Sequence, residues 1–242
     1  MKYSIIIPTL NEEKLLPGLL DQIDDLELKK RFDYEIIISD GGSIDKTTNL
    51  IQGRVDKIKL NNESIKQNIA IGRNEGSAYA SGEILIFINA DIKFDNPEKF
   101  FLYVEDKFYF SDFSAMTCNV KIFPEEEILL DKIYHYCYNG YFSFLNNIGL
   151  GMGRGECQII RKDVFNKLNG YSTSLAAGED FDLFRRVQKV GKVLFSKDLY
   201  IYESPRRFRK FGYAKVTLSW IKNGFSVFFK NKSLSKEWEQ VR

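Results

Sequence analysis

Residues 84–88 read Ile-Leu-Ile-Phe-Ile and run without a polar break into Asn89-Ala90-Asp91. A short apolar run with no alternation marks a strand buried on both faces, as in a sheet covered by helices above and below. Runs of the same kind stand at 3–7 and 34–39. Such strands commit the chain to an open α/β sheet, whose ligands bind beyond the carboxyl ends of the strands. Each run ends there in polar residues: Pro8-Thr9-Leu10-Asn11-Glu12, Asp40-Gly41-Gly42-Ser43 and Asn89-Ala90-Asp91. Asp91 has two readings. It ends its strand in a turn, or it gives hard oxygen ligands to a divalent cation that also grips phosphate oxygens.

The segments between the strands carry helical spacing. Leu15, Leu16, Leu19, Leu20, Ile23 and Leu26 recur every three or four residues. They predict an amphipathic helix that starts near Glu12, with Thr9 or Asn11 as its cap. Ser43 or Asp45 is placed to cap a short helix over 47–51, and 55–60 predicts a weaker strand. Residues 63–81 predict a helix despite Gly72 and Gly76, which cost about 1 kcal/mol each relative to Ala. That cost points to a packing or functional reason around Arg73. Helices are expected at 97–107, 125–141, from Arg161 to Asn169, and from Gly178 onward. Strands are expected at 113–122 and 156–160, with short closing strands at 192–195 and 199–202. The glycine-rich stretch 149–155 does not match GxGxxG and is expected as a mobile loop.

Charge divides the chain. Between Ser204 and Lys232 stand eight Arg and Lys and no acid, and residues 233–242 are balanced. With +2 overall and +8 in that segment, the first 203 residues carry −6. Within the segment, Phe211, Ala214, Leu218, Ile221, Phe225 and Phe228 lie three or four apart, while Lys215, Ser219, Lys222 and Ser226 share another face. A basic amphipathic helix of this kind can lie in the interface of an anionic membrane, here through residues 205–230. Packing on the body and a homodimer contact are the other readings. A nucleic-acid partner is not expected, because the basic charge is confined to one end of an acidic body. The three cysteines, Cys118, Cys137 and Cys157, have no CxxC spacing and suggest reduced thiols in a cytoplasmic protein. The single histidine, His135, excludes a His-rich metal site and is expected in a structural or surface role. No signal peptide is recognised before Tyr3, and no apolar run approaches the length of a membrane span.

Several residues carry chemistry. Asp40 can accept hydrogen bonds from a base or a ribose. Arg73 can reach a diphosphate or a strand-end carboxylate. Glu179 and Asp180 open a helix, where acids favour the positive helix end by about 0.3–1 kcal/mol. The other reading of Asp180 is a general base.

The stretches SIIIPTLNEE, EIIISDGGSIDKT, GRNEGSAYASGEILIFINAD and GEDFDLFRRVQKVG resemble, in order and spacing, the successive motifs of the family 2 inverting glycosyltransferases. The resemblance spans residues 3–193 and implies an α/β chain with the GT-A fold, a mixed, mostly parallel sheet flanked by helices. It implies one domain at 1–203, with a nucleotide-binding half (1–95) and an acceptor half (96–203), followed by a basic amphipathic extension (204–242). It places Pro8, Thr9, Glu12 and Asp40 around the nucleotide, with Arg73 bracing them. Asn89 and Asp91 stand where the family has its Asp-x-Asp motif, Asp91 on an Mn²⁺ or Mg²⁺ ion. Asp180, next to Glu179, stands where the family has its base. Part of the family has a similar Ser-x-Arg-Arg segment, so Arg206 and Arg207 would clamp the donor diphosphate. Two departures stand out: Asp40-Gly41 replaces two adjacent acids, and Asn89 replaces an Asp.

The activity so implied is metal-assisted transfer of a sugar from a nucleotide-diphosphate sugar to a sugar or polyprenyl-linked acceptor. It would take place in the cytoplasm or on the inner face of the cell membrane. One alternative is a non-catalytic, membrane-attached nucleotide-sugar binder. A sugar nucleotidyltransferase is disfavoured because Pro8-Thr9-Leu10-Asn11 is not its Gly-rich, Arg-containing loop. A Rossmann dehydrogenase is excluded because no GxGxxG follows a strand.

Overall fold

The computed structural model describes residues 1–61, 68–235 and 241, so part of the helix expected at 63–81 lies outside the described residues. The apolar runs form β1 (Tyr3–Thr9), β2 (Tyr34–Asp40) and β4 (Ile84–Ile88), parallel to one another. β3 (Lys57–Leu60) continues the parallel set beyond β2. β7 (Cys157–Arg161) runs antiparallel to both β4 and β6 (Phe113–Ile122). β8 (Lys192–Glu203) is parallel to β6, and β5 (Ile92–Phe94) lies antiparallel along the end of β8. The resulting mixed, mostly parallel sheet has the order β3-β2-β1-β4-β7-β6-β8-β5.

Successive residues of the central strands serve opposite cores, as their lack of alternation requires. Ile5, Ile7, Ile36, Ile38, Ile84, Ile86 and Ile88 pack with α1 (Leu16–Ile23) and α5 (Pro97–Val104). Ile6, Ile37, Leu85 and Phe87 pack with α4 (Ile69–Ala78), α7 (Lys162–Lys167) and α8 (Glu179–Gln188). Burying each such side chain is worth about 1.5–3 kcal/mol. Gly76 is explained by this packing: a Cβ there would stand 2.6 Å from Ile6 Cγ2, so α4 lies close on the sheet because Gly76 has none.

Several local expectations are corrected. The first helix begins at Leu16, and neither Thr9 nor Asn11 caps it. Asn11 is left-handed (φ 56°); its Oδ1 accepts from Ile44 N at 2.8 Å and its own N donates to Ser43 Oγ at 2.7 Å. These bonds staple the loop after β1 to the loop after β2. Leu26 does not extend α1. It opens α2 (Leu26–Phe32), capped by Asp25, and is exposed. Asp45 accepts from Thr47 N at the start of α3 (Thr47–Leu50), as expected. The two closing strands are one strand, β8, whose pairing shifts register opposite Cys118 and Asn119. β5 was not foreseen, being too short to show a period. The helix after Pro97 continues into a wider turn over Glu105–Tyr109. The glycine stretch 149–155 is packed and not loose: a Cβ on Gly151 would lie 2.6 Å from Phe184 O, and one on Gly153 2.5 Å from the Phe184 ring.

The helix expected at 125–141 is α6 (Leu129–Asn147). The basic segment forms α9 (Arg206–Phe211) and α10 (Tyr213–Lys230), separated by Gly212 at φ 77°. Phe208, Val216, Tyr213 and Trp220 seat this segment on Ile122 and on Tyr134 of α6. No helix among the described residues is long and apolar enough to cross a membrane.

Candidate active site

A cavity of about 930 Å³ opens beyond the carboxyl ends of β1 and β4. Pro8, Thr9, Glu12, Arg73, Asn89, Asp91, Glu179, Asp180, Arg206 and Arg207 all line it. Every site residue expected from the sequence is therefore brought to one cavity, with the exception of Asp40.

Asp40 is buried, and its carboxylate is fully engaged within the protein. Oδ1 accepts from Gly42 N at 3.0 Å and Ser43 N at 2.7 Å. Oδ2 accepts from Thr9 Oγ1 at 2.7 Å and Ser43 Oγ at 2.6 Å. The expected contact between Asp40 and a base or ribose is thus corrected: its oxygens organise the loop after β2. Gly41, the next residue, stands on the cavity wall. It occupies the position where the resembling family has its second acid.

Arg73 is the hub of the site. Arg73, on α4, is fully buried. Its Nη1 donates to Glu179 Oε1 at 2.9 Å; its Nη2 donates to Gly155 O at 2.6 Å and Asn89 Oδ1 at 3.1 Å. The guanidinium also lies over the Tyr171 ring, 5.2 Å from its centroid. One cation thus ties the end of β4 to the start of α8, although 90 residues of chain separate Asn89 from Glu179. Burial pushes the Glu179 carboxyl up from its ordinary value, and Arg73 only partly offsets it.

Next to Glu179, Asp180 is half-buried. Its Oδ1 accepts from Phe181 N at 2.8 Å, while Oδ2 lies beside Gly155, 3.0 Å from where a Cβ would stand. Burial, followed by the neighbouring Glu179 charge, pushes the Asp180 carboxyl up to about 7. A carboxyl so placed exchanges its proton near neutrality, as a general base must.

A second arginine organises the other wall. Ser204 N donates to Asp91 O at 3.0 Å, which fixes the start of the basic segment against the turn after β4. Arg206 then reaches back. Its Nη1 and Nη2 donate to the two oxygens of Glu12 at 2.9 and 2.8 Å, and its Nε donates to Asp91 Oδ2 at 3.1 Å. Asp91 and Glu12 therefore share one cationic group. Among the described residues, no three His, Cys, Asp or Glu side chains are grouped to hold a metal. Mn²⁺ and Mg²⁺ do not need such a cage when one or two carboxylates and substrate phosphates complete the shell. Asp91, with Glu12 beside it, fits that smaller role. Asn89 does not, because its Oδ1 is held by Arg73.

Behind these groups lies a cluster that the sequence reading missed. Buried Arg154 donates Nε to Glu156 at 3.0 Å, Nη2 to Glu203 at 3.3 Å and Nη1 to Asn139 at 3.3 Å. Burial works to raise the Glu156 carboxyl, but Arg154 outweighs it and holds that group low. Burial, aided by Glu156, pushes Glu203 well up. His135 is buried beside them, and neither ring nitrogen has a hydrogen-bond partner among the described residues. Burial, then Arg154, lowers it to about 4, so it is neutral at pH 7. The signal for this cluster was an Arg between two glycines, with a Glu directly after them, ahead of a strand. The far end of the cavity, between α6 and α10, is lined by Tyr138, Tyr141, Leu145, Trp220 and Phe225.

The model of Glycosyl transferase family 2 matches residues 4–168. A GalNAc(5)-diNAcBac-PP-undecaprenol beta-1,3-glucosyltransferase of Campylobacter jejuni is 36% identical over 94 residues, 37% of this chain and 29% of that protein. The match spans less than a third of the length of such curated relatives. A mannosyltransferase of Pyrobaculum calidifontis, solved with GDP-Man and Mn²⁺, superposes with a TM-score of 0.65 at 18% identity, over 84% of this chain and 56% of that one. TarS of S. aureus, solved with UDP-GlcNAc, gives a TM-score of 0.60 at 18% identity, over 84% of this chain and 58% of that one.

Proposed function

The chain belongs to glycosyl transferase family 2 and has the GT-A fold, and on that premise we propose that it moves a sugar from a nucleotide-diphosphate sugar to an acceptor, with inversion at the anomeric carbon. The observation that carries this reading is the Arg73 hub, which holds the end of β4 and the Glu179-Asp180 pair on one cavity.

The base and ribose lie over Pro8, Thr9 and Gly41, between loops that the Asn11–Ser43 bonds already hold together. Arg206 and Arg207 serve the diphosphate, because planar guanidinium forks match phosphate oxygens. Asp180 Oδ2 takes the proton of an acceptor hydroxyl. The hydroxyl oxygen bonds to the anomeric carbon from the opposite face, and the nucleoside diphosphate leaves with the electrons of the broken C–O bond. General-base help of this kind is typically worth ~10²–10⁴ in rate. Asp91 and Glu12 would hold the Mn²⁺ or Mg²⁺ ion, which supplies neutralisation of the charge growing on the diphosphate. That a neighbour in fold binds GDP-Man with Mn²⁺ supports this assignment.

The acceptor is taken to be lipid-linked or a cell-envelope glycan. The aromatic end of the cavity supports this, as does the undecaprenol-linked saccharide named for the Campylobacter relative. For an acceptor that is itself a polyprenyl phosphate, whose oxygen is already ionised, Asp180 positions the nucleophile and takes no proton. A non-catalytic binder is the second reading, favoured by the hold of Arg206 on Asp91.

Asp180→Asn separates the two. It should leave the rise in melting temperature with a nucleotide-diphosphate sugar and Mn²⁺ intact and lower transfer by about 10²-fold or more. Native protein that neither transfers the sugar nor hydrolyses the donor would support the binder instead.

A further inference from the structure

Part of the apolar row of α10 is turned away from the body, although Phe228 packs against Phe181 and Arg185. Leu218 is 55% exposed and Phe225 62%, while Val216, Asn223 and Val227 face inward. α6 does the same on a larger scale: Leu130, Ile133, Phe144 and Ile148, on one stripe of the helix, are each more than half exposed. The two helices lie together. Tyr134 Oη and Thr217 Oγ1 are 2.8 Å apart, and the Tyr138 and Trp220 rings stack at 5.6 Å. Beyond Trp220 both helices line the aromatic end of the cavity, so the exposed stripes flank its mouth.

The exposed charge of α10 has one sign. Of α6 and α10, 19 and 18 residues long, α6 carries Lys132, paired with Glu127 at 3.4 Å, and α10 carries exposed Lys215, Lys222 and Lys230. Their only acid, Asp131, is buried in an ion pair with Arg209. An outward apolar stripe edged by lysines fits a surface that is apolar within and anionic at its headgroups. A symmetric contact with a second copy would set these lysines against their own counterparts.

We propose that α6 and α10 together form a docking face for an anionic bilayer, through which the lipid portion of an amphiphilic acceptor enters the cavity beside Asp180. This rests on the transferase reading only for the identity of the acceptor; the docking itself does not. α6, whose single lysine is paired with Glu127, contributes the apolar half of the face, and α10 contributes the charge.

The test is flotation of the full chain with phosphatidylcholine vesicles, with and without about one-third phosphatidylglycerol. The native protein should float with the anionic vesicles and, at the same lipid concentration, not with the neutral ones. Ile133→Ser with Phe144→Ser, both outside the cavity lining, should weaken that binding by about tenfold or more. Their melting temperature and its shift with donor should match the native protein. Leu218→Ser should act in the same direction. Native protein that stays off anionic vesicles, or an α6 double variant that floats as well as native, overturns the proposal. So does a native dimer that the α6 variant dissociates while vesicle binding is unchanged, since the face would then be a contact between copies. If vesicles bind as expected but no nucleotide sugar raises the melting temperature, the docking face stands and the transferase reading fails.

Discussion

The strand-end half of the cavity is held by ion pairs and hydrogen bonds, and its helical half by rings. At the strand ends, Arg73 and Arg206 each gather groups from distant parts of the chain and fix the oxygens of Glu12, Asn89, Asp91 and Glu179 that they bond. Between α6 and α10 the contacts are mainly rings, Tyr134 on Tyr213 and Tyr138 on Trp220, with one hydrogen bond between Tyr134 and Thr217, and they define a shape but few directions. The first half suits a ligand of fixed polar pattern, and the second a ligand that is long, apolar and variable. The two arginines differ as well. Both line the cavity, but Arg73 is fully buried, whereas Arg206 is 19% exposed.

That difference can be broken by substitution. Arg73→Met removes a buried cation and leaves Glu179 unpaired, a change that typically costs about 3–5 kcal/mol. It should lower stability by that amount in urea titration and abolish donor binding with it; a loss of under about 1 kcal/mol would mean the hub is not structural. Arg206→Ala should cost less, about 1–3 kcal/mol, because its pairs are partly solvated. It also leaves Asp91 and Glu12 side by side without their shared cation. Mn²⁺ should therefore raise the melting temperature of Arg206→Ala more than that of the native protein. Equal shifts would show that Arg206 and the ion do not compete for those carboxylates.

The strand-end half was largely legible in the sequence, and the helical half was not. Doubly buried strands have a sequence signature, and so do the polar residues where they end. Asp40 misled because its type suits both a ligand contact and a loop, and only the positions of Thr9, Gly42 and Ser43 decide between them. Arg206 was singled out as a diphosphate clamp, but its hold on Glu12 depends on the Asp91–Ser204 bond across the fold, which no local pattern encodes. α6 read only as a helix at 125–141 bearing several apolar residues. Periodicity gives the apolar stripe but cannot tell whether that stripe faces a core or the outside. The stretch 149–155 looked mobile because glycine is permissive, yet Gly151 and Gly153 are there to let Phe184 come close.

Transfer to a hydroxyl acceptor, followed against pH at saturating donor, tests the role of Asp180 most directly. Its carboxyl is raised to about 7, so the native state keeps a proton that the unfolded chain loses near pH 4. Stability should therefore fall as pH rises between those values, while the ionised base that transfer needs accumulates. The rate should climb about tenfold per pH unit up to about pH 7 and then level, and Asp180→Asn should lose both the rate and the inflection. A native profile flat from about pH 5 to about pH 9, or an Asp180→Asn enzyme that keeps the inflection at near-native rate, would contradict the account.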